Sequence, residues 1–469
     1  MNVYKIAFRI LNARWFKASI VYKERCIMSN PTKQDAIRLL DVFDPEMADL
    51  LHREEKRQFE TIGLIASENV VSPMASALEG SVFTNKNTEG HPGKRYVGGC
   101  ELAEAAELLA IERVKKLFGA EHANIQSGNA TIANMAVLTG LLNPGDTFMG
   151  LTLDNGGHLS HGAKFHYSGR QFNALHYGVN RETERIDMDQ VRQMALENKP
   201  KLIVTGASSY PRMIDYKAFR EICDEVGAYF WVDCAHDCGL IAGGAIPSPM
   251  PYADVVTFST QKTLRGPRGC GVILCKEELG HKIDVGVFPR LQGGPKGDML
   301  AARGVLFWEL MQPEFKVYAK QVCANAKALA QGCLDEGLRL ITGGTDTHMV
   351  MLDVTPVIEN GYEAETLLNS VGIVSNKNMI PYDELPPSLG SGLRIGSPTM
   401  TTRGAKEDEM HHIGSLLGKV LKNKDNAEYL EQVKAEVKQI ATSHPMFSSE
   451  WVSPVIRDDF DAMYCHQTF

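Results

Sequence analysis

Runs of apolar residues with two different spacings alternate along most of the chain. Apolar residues at helical spacing predict helices over residues 44–59, 101–119 and 216–227. Short runs rich in β-branched and aromatic residues predict strands at residues 201–206, 229–234, 254–260 and 271–275. These strands are apolar on both faces, which is typical of a parallel sheet covered by helices on each side. The pattern predicts an α/β fold with a mostly parallel sheet flanked by helices.

The same pattern divides the chain into three parts. Residues 1–80 are predicted to form an N-terminal extension and a helical arm, and residues 81–310 a large domain that contains the sheet. From residue 311 the helical segments become longer and the strands fewer, with one strand predicted at residues 348–354. A smaller α+β domain is therefore expected over residues 311–469.

The first 27 residues differ in charge from the rest of the chain. Residues 1–27 contain six basic residues and one acidic residue, with apolar positions between them. One interpretation is an amphipathic targeting or surface helix. The favoured interpretation is an upstream extension, with a more ordinary beginning at Met28.

Composition and charge exclude several classes of protein. The chain has 469 residues, of which 44% are hydrophobic, and its net charge of −8 argues against a nucleic-acid-binding surface. No apolar run approaches the length of a membrane span, so no membrane partner is expected. Ten cysteines are scattered without a CxxC pair or the spacing of a zinc site. Free, mostly buried thiols in a reducing cytoplasm are expected, with no metal ion.

A lysine follows the predicted strand at residues 254–260. Gln261 and Lys262 come directly after this strand, and glycine, proline and arginine residues come close behind them. In sheets of this kind the carboxyl ends of the strands face the ligand crevice. A lysine held there can form a Schiff base with an aldehyde cofactor, whereas a lone lysine in a turn is usually a surface residue. The surrounding residues favour the first interpretation.

A carboxylate ends the neighbouring predicted strand. Asp233 lies at the end of the apolar run at residues 229–234, and His236 follows it. In pyridoxal enzymes a carboxylate at this place keeps the pyridinium nitrogen protonated, which makes the ring an electron sink. The alternative is that Asp233 only caps the next helix, and His236 taken alone indicates little.

Seven short motifs together resemble those of the serine hydroxymethyltransferase family. They occur in the family's order between residues 44 and 445 and read LIASEN, EGHPGKRYVGGCE, NGGHLSHG, SSYPR, STQKTLRGPRG, LQGGP and SGLRIGSP. The resemblance implies a fold-type I pyridoxal-phosphate enzyme that uses tetrahydrofolate as its one-carbon carrier. It also implies a homodimer or a higher homo-oligomer that acts on a small amino acid.

The resemblance implies a role for individual residues around the cofactor. Lys262 matches the Schiff-base lysine, Asp233 the partner of the pyridinium nitrogen, and His158 the histidine stacked on the ring. Glu89 matches the carboxylate that handles the proton of the substrate hydroxyl, which the family places across the dimer interface. The other implied cofactor contacts surround the phosphate, the phenolic oxygen and the lysine: Ala130, Thr131, Ser208, His236, Gln261, Gly293 and Gly294. The two glycines match a turn that reaches the phosphate of the partner's cofactor.

The resemblance also implies residues for the amino acid and for folate. Arg394 matches the arginine that clamps the substrate carboxylate, a task that suits the forked geometry of guanidinium. Ser67 matches a serine that assists it, and Asn87 and Glu89 complete the expected substrate set. The positions that match the lining of the folate pocket are Leu153, Gly157 and Asn378.

The sequence departs from the family pattern around this site. Asn87 and Val97 stand where the family has tyrosines, and Gln261 stands where it has a histidine. Near the phosphate, Ala130 and Thr131 follow Asn129 where the family has Ser-Gly-Ser. Loss of two tyrosines removes aromatic bulk near the reacting carbon, so a substrate with an extra α-methyl group, such as 2-methylserine, is expected to fit.

Three other interpretations stay open. The first is an ordinary serine enzyme whose sequence has drifted. The second is a folate-independent aldolase of the same fold, which the substitutions Pro386 and Ser388 near the expected folate pocket slightly favour. The third is a non-catalytic scaffold, but retention of the lysine, aspartate, glutamate and arginine together argues against it.

Overall fold

The computed structural model describes residues 33–464, which form two compact units that meet between Gln58 and Phe59. The described part of the first unit consists of helix α1 (Lys33–Phe43) and most of helix α2 (Pro45–Glu60). An Asp44 carboxylate oxygen accepts the Met47 N–H at 3.1 Å, so Asp44 begins α2 as predicted. The expectation for residues 1–27 lies outside the described residues.

The strands and remaining helices all belong to the second unit. The strands are β1 (Ile62–Gly63), β2 (Gly90–His91), β3 (Lys94–Arg95), β4 (His122–Asn124), β5 (Thr147–Leu151), β6 (Asn173–Tyr177), β7 (Leu202–Thr205), β8 (Tyr229–Asp233), β9 (Val255–Ser259), β10 (Gly271–Cys275), β11 (Arg339–Leu340), β12 (Met349–Asp353), β13 (Ile373–Val374), β14 (Asn376–Asn378) and β15 (Gly392–Gly396). The helices are α3 (Pro73–Leu78), α4 (Glu101–Phe118), α5 (Ala130–Leu141), α6 (Tyr167–Gln171), α7 (Met188–Asn198), α8 (Tyr216–Val226), α9 (Cys238–Ala242), α10 (Glu277–Val287), α11 (Gly297–Leu310), α12 (Pro313–Asp335), α13 (Gly361–Ser370), α14 (Pro398–Arg403), α15 (Glu407–Lys422), α16 (Ala427–Thr442) and α17 (Pro454–Tyr464).

A seven-stranded sheet in the order β4-β10-β9-β8-β7-β5-β6 forms the centre of this unit. Strands β5 to β9 run parallel to one another, and β10 is antiparallel to both β9 and β4. The predicted fold class, an α/β fold with a mostly parallel sheet, is thus confirmed. Because the carboxyl ends of parallel strands meet at one edge, the ends of β7, β8 and β9 lie side by side.

Each face of the sheet is covered by its own hydrophobic core. Along β8, Phe230 and Val232 belong to one buried cluster, whereas Trp231 between them belongs to another. Since successive side chains of a strand point to opposite faces, both faces are buried. This burial explains why the strand sequences are apolar throughout rather than alternating.

A second sheet, in the order β11-β12-β15-β14, is entirely antiparallel. Its core includes Leu329 of α12 and Leu417 of α15, and Ile62 of β1 joins the same cluster. Strand β1 pairs with β13 rather than with this sheet. The predicted boundaries at residues 80 and 310 stay predictions.

The cysteines in the described part of the chain are free thiols. Seven of these eight are buried and Cys323 is partly buried, as expected, while Cys26 and Cys465 lie outside the described residues. No helix between residues 33 and 464 is long and apolar enough to cross a membrane.

Candidate active site

Lys262 lies just beyond the carboxyl end of β9. The side-chain amide of Asn69 donates to the Lys262 carbonyl at 2.8 Å, which fixes the backbone of the loop. Burial lowers the pKa of the Lys262 amine to about 8; the positive charge of Arg394 acts in the same direction and Asp233 opposes it. Near neutral pH, a larger fraction of the Lys262 amine is therefore in the neutral, nucleophilic form than in an ordinary lysine.

Asp233, the last residue of β8, is 5% exposed and surrounded by donors. One carboxylate oxygen contacts the Asn134 amide nitrogen at 2.7 Å and His161 Nε2 at 3.0 Å, and the other accepts the Ala235 N–H at 3.1 Å. Burial alone would raise the pKa of Asp233, but the His161 hydrogen bond and the nearby charges of His158 and Lys262 outweigh it. The pKa is therefore held well below its ordinary value, and Asp233 is ionised.

His158 is held by the short turn that follows it. Its Nδ1 lies 2.6 Å from the hydroxyl of Ser160, and Ser160 in turn accepts a hydrogen bond from Asn134 at 2.9 Å. Burial, with help from neighbouring His161, lowers the pKa of His158 to about 4. His158 is thus a neutral ring in a fixed orientation beside the Asp233 network.

Arg394 joins the two sheets of the unit at this site. The side chain leaves β15 and donates through Nη1 to the Ser208 carbonyl at 2.7 Å and to its hydroxyl at 3.2 Å. Its Nε contacts the Asn376 side chain at 3.3 Å, while Nη2 has no hydrogen-bond partner among the described residues. Burial lowers its pKa to about 10, so the guanidinium stays charged near neutral pH. A charged group with one free donor is suited to bind a carboxylate.

Ser67 lies on the segment that runs beside β15. The Gly396 N–H donates to the Leu64 carbonyl at 2.7 Å, which holds this segment next to the strand that carries Arg394. Ser67 itself is partly buried.

Two buried histidines lie next to the lysine. His236 Nδ1 is 3.2 Å from His348 Nε2, and the two rings are stacked with an interplanar angle of 19°. Burial and the charge of Lys262 keep the pKa of both rings below the ordinary value. We call Lys262, Asp233, His158, His236, Arg394 and Ser208 the lysine site.

The N-terminus of α5 offers unpaired amides at the same edge of the sheet. Asn129 caps this helix by accepting the Ile132 N–H at 2.9 Å, and no hydrogen bond within the described chain uses the N–H groups of Ala130 and Thr131. Such a helix end binds phosphate well. The buried Gln261 side-chain oxygen also has no hydrogen-bond partner between residues 33 and 464.

Glu89 belongs to a second cluster. Its N–H donates to the Asn87 side chain at 3.0 Å, and a Cβ on Gly294 would lie 2.9 Å from that side-chain oxygen. The Thr88 hydroxyl donates to the Pro295 carbonyl at 2.6 Å, so the turn with Gly293 and Gly294 packs on the Glu89 segment. We call Asn87, Glu89, Val97, Gly293 and Gly294 the glutamate loop.

Within the described chain, no hydrogen bond or ion pair joins the Glu89 carboxylate to the lysine site. Glu89, expected to act on the substrate across the dimer interface, lies close to the glycine turn expected to reach the partner's cofactor. The lysine site and the glutamate loop are separate groups of residues.

The predicted folate residues lie on two elements near Arg394 and Ser208. Leu153 and Gly157 are in the segment after β5, where a Cβ on Gly157 would come within 2.1 Å of the Leu151 carbonyl oxygen. Ser208 donates its N–H to the Gly156 carbonyl at 2.8 Å. Asn378 ends β14 and pairs with Gly392 of the strand that carries Arg394.

Four residues of this region were not predicted from the sequence. His161 and Asn134 hold Asp233, and Asp237 and His348 adjoin His236. His161 lies three residues after His158 in the motif NGGHLSHG, a spacing that brings both rings to one short turn. The positions of Asn134 and His348, far away along the chain, had no local pattern that could reveal them.

A family model for serine hydroxymethyltransferase matches residues 40–417 of this chain. The chain belongs to the serine hydroxymethyltransferase family. A serine hydroxymethyltransferase of Coprothermobacter proteolyticus is 53% identical over 395 residues, which are 84% of this chain and 94% of that protein. Another from Koribacter versatilis is 50% identical over 420 residues, 90% of this chain and 97% of that protein. The resemblance found in the motifs is confirmed.

Members of this family are pyridoxal-phosphate-dependent transferases that use tetrahydrofolate. The residues present fit pyridoxal phosphate. The free amides of Ala130 and Thr131 suit its phosphate, and the ionised Asp233 suits a protonated ring nitrogen. The Lys262 amine, whose pKa is lowered to about 8, suits attachment of an aldehyde.

Proposed function

We propose that this protein breaks and forms the Cα–Cβ bond of a small β-hydroxy amino acid, with tetrahydrofolate as the one-carbon carrier. The observation that carries the proposal is the meeting of Lys262, Asp233 and Arg394 at one edge of the large sheet. Lys262 supplies an amine with a lowered pKa, Asp233 a buried anion, and Arg394 a positive charge that can bind a carboxylate. A scaffold without activity would have no use for this combination.

The residues of the lysine site divide the chemistry among them. When bound, pyridoxal phosphate withdraws electrons from the bonds at Cα through its protonated ring. Asp233 holds the proton on the ring nitrogen, because its ionised form is strongly favoured. Lys262, whose pKa is lowered, would hold the aldehyde of the cofactor through its amine, and His158 would offer a neutral ring beside it.

The substrate is held by its carboxylate. Arg394 is fixed by Ser208 through Nη1 and offers Nη2 to the substrate, with Ser67 assisting. This arrangement orients the amino acid so that one bond at Cα lies in the productive direction. Tetrahydrofolate binds beside it, between Leu153, Gly157 and Asn378.

We propose that Glu89 acts in the site of a second subunit. Its carboxylate makes no hydrogen bond or ion pair with described residues of its own chain, and it lies beside Gly294. In a homodimer the glutamate loop would bring a base to the substrate hydroxyl and the glycine turn to the partner's phosphate. A cytoplasmic homodimer, or a higher oligomer built from it, is therefore the proposed form.

The preferred substrate in this proposal carries a methyl group at Cα, as 2-methylserine does. Asn87 and Val97 are neighbours in space, because the Cys100 thiol lies 3.4 Å and 3.3 Å from their respective carbonyl oxygens. The backbones of both residues therefore lie close together, and the Asn87 side chain accepts the Glu89 N–H at 3.0 Å. Two tyrosines at these positions would fill the space that an α-methyl group needs.

A substrate panel tests the proposal. L-Serine, 2-methylserine, allo-threonine and D-alanine are assayed with and without tetrahydrofolate. We expect 2-methylserine to have the highest kcat/KM of the hydroxymethyl substrates and its turnover to need tetrahydrofolate. Equal or better use of L-serine contradicts the α-methyl preference, and full activity without tetrahydrofolate indicates an aldolase instead.

The double change Asn87→Tyr and Val97→Tyr provides the matched test. A methyl-sized difference in a pocket is worth about 1–3 kcal/mol, so the preference should shift towards L-serine by about 10–200-fold. Leu102→Tyr is the control, since Leu102 is an exposed apolar residue of the neighbouring helix α4. The control should leave the ratio of the two kcat/KM values unchanged.

A further inference from the structure

A third buried group adjoins the two stacked histidines. Asp237 Oδ1 lies 3.7 Å from His348 Nδ1, and both atoms are buried, with no hydrogen bond of normal geometry to another residue in the described part of the chain. His348 Nε2 lies 3.2 Å from His236 Nδ1. The three side chains thus form a line from Asp237 through His348 to His236. They come from different parts of the fold, since Asp237 and His236 follow β8 and His348 precedes β12.

The contact between the two rings limits which of their nitrogens can carry a proton. A contact of 3.2 Å between two ring nitrogens is a hydrogen bond only if one nitrogen carries a proton and the other does not. If His348 Nε2 donates, then His236 Nδ1 accepts and His236 carries its proton on Nε2. If His236 Nδ1 donates, its Nε2 is left without a proton. The state of His348 therefore decides the state of His236.

Asp237 decides the state of His348. As a carboxylate it favours a proton on His348 Nδ1, which makes Nε2 of the same ring an acceptor. As a neutral acid it donates to Nδ1, so Nε2 must carry the proton. The separation of 3.7 Å is too long for a hydrogen bond, but electrostatic bias acts at this distance, and two unpaired buried polar atoms are costly enough to favour a closer approach.

We propose that Asp237 is a positioning residue that sets, through His348, whether His236 presents a donor or an acceptor to the lysine site. This inference rests on the proposed function and adds the control of protonation at the same site. One proton distinguishes the two states. It enters at His236 Nε2, the proton on His236 Nδ1 passes to His348 Nε2, and the proton on His348 Nδ1 passes to Asp237.

Several charged or titratable groups face this line. Those facing Asp237 come from five further elements and are Asp233, Cys234, Cys238, Tyr216, Lys262 and Cys323. Those facing the two rings are Lys262, Arg394 and His158. The carbonyl of Ala66 also faces His348 and favours its protonation. Since burial and the charge of Arg394 both disfavour a charged imidazole, both rings stay neutral and only the place of their protons changes.

The raised pKa of Asp237 places the change of the His236 tautomer near neutral pH. Burial raises the pKa of Asp237 to about 7, with Asp233 acting in the same direction and Lys262 against it. The neutral acid, with a donor at His236 Nε2, therefore dominates below this pH and the carboxylate above it. A group with a pKa near 7 changes its ionised fraction about tenfold between about pH 6 and about pH 8.

The test uses the holoenzyme, labelled with ¹⁵N in its histidines. We expect the protonated nitrogen of His236 to move from Nε2 to Nδ1 as the pH rises through about 7. In Asp237→Asn the His236 tautomer should be the same at both ends of this range. A wild-type tautomer that does not change, or one that changes equally in the variant, overturns the inference.

A pH profile links the tautomer to the reaction. The ratio of kcat/KM at about pH 8 to that at about pH 6 should differ about tenfold between wild type and Asp237→Asn. Glu309→Gln is the matched control, because Glu309 is also a buried carboxyl whose pKa burial raises to about 7 and it bonds to Ser72 instead. The control should keep the wild-type profile, and an equal change in both variants contradicts the proposed link from Asp237 through His348 to His236.

Stability gives a measurement that does not depend on activity. Because the folded pKa of Asp237 is raised, its contribution to stability is complete below the unfolded pKa and is lost as pH rises through about 7. Asp237→Asn should therefore gain unfolding free energy relative to wild type as pH rises from about 5 to about 8. His348→Gln, which removes the middle ring, should leave the His236 tautomer independent of pH. If the His236 tautomer changes as expected but no hydroxymethyl group is transferred, the proposed function is wrong and the link from Asp237 to His236 is supported.

Discussion

The change Arg394→Lys tests the proposed binding of the substrate carboxylate, because it keeps the positive charge but removes the two terminal NH₂ groups of guanidinium. Arg394 uses Nη1 on Ser208 and leaves Nη2 free, so one guanidinium both joins the two sheets and offers a donor. A lysine has a single ammonium on a flexible stem. It can bind Ser208 or the substrate carboxylate, but it cannot hold both in the same geometry.

The expected loss is that of one charge-assisted hydrogen bond. Such bonds contribute about 1.5–3 kcal/mol, and each 1.36 kcal/mol is a factor of ten in an equilibrium constant. The affinity for the amino acid should therefore fall by about 10–150-fold. Burial of Arg394, which lowers its pKa to about 10, places the estimate in the upper part of this range because little water can replace the lost donor.

The assay is an equilibrium titration of the holoenzyme with glycine, followed by the absorbance of the bound cofactor. Cofactor binding should survive the change, since lysine keeps the positive charge near Lys262 and Arg394 makes no hydrogen bond to Asp233. The control is Arg339→Lys, the same substitution in an arginine that pairs with Glu184 and Asp353 away from the site. An Arg394→Lys affinity within about twofold of wild type would refute the clamp, because twofold is far below the value of one such bond.

Three further changes test other parts of the site. Lys262→Ala should abolish covalent attachment of the cofactor, and mass spectrometry after borohydride reduction of wild type should find pyridoxyl on Lys262; another modified lysine would contradict the assignment. Glu89→Gln should lower turnover of hydroxymethyl substrates by about 10²–10⁴-fold without loss of cofactor, and unchanged turnover would remove Glu89 from the mechanism. Asn134→Ala removes a donor at 2.7 Å from Asp233 and should lower the unfolding free energy by about 1.5–3 kcal/mol in denaturant titrations. Because the pKa of Asp233 is depressed, the stability that the ionised carboxylate contributes is lost as pH falls. Asn134→Ala should move that loss to higher pH. An unfolding free energy that falls over the same acidic range in both proteins would contradict this account.

The sheet was predictable because its strands are buried on both faces. The strand ends at Asp233 and before Lys262 were found from their apolar runs alone, and the structure has β8 end at Asp233. The direction of β10 was not predictable, because GVILC is equally apolar in a parallel or an antiparallel strand. Residues 60–100 contain strands of only two residues, whose length carries no periodicity.

The candidate site residues could be found in the sequence only at the ends of predicted strands or within matched motifs. Asp233 ends a strand, and Lys262 and Arg394 lie in matched segments. Partners of two buried residues are far away along the chain: Asn134 is 99 residues from Asp233, and His348 is 112 residues from His236. A single sequence contains no record of such pairs, because their contact depends on tertiary packing.

The separation of the lysine site from the glutamate loop has a consequence for specificity. The charges of Asp233 and Arg394 both act on the pKa of Lys262, and the charge of Lys262 acts on the pKa of Asp233. Asn87 and Val97 are held through backbone carbonyl groups by Cys100, and their side chains are not part of that network. On the proposed assignment, substitutions at these two positions change the space around Cα while the charges of the lysine site stay intact. We therefore expect the two missing tyrosines to alter which amino acid is accepted and to leave the chemistry at the lysine unchanged.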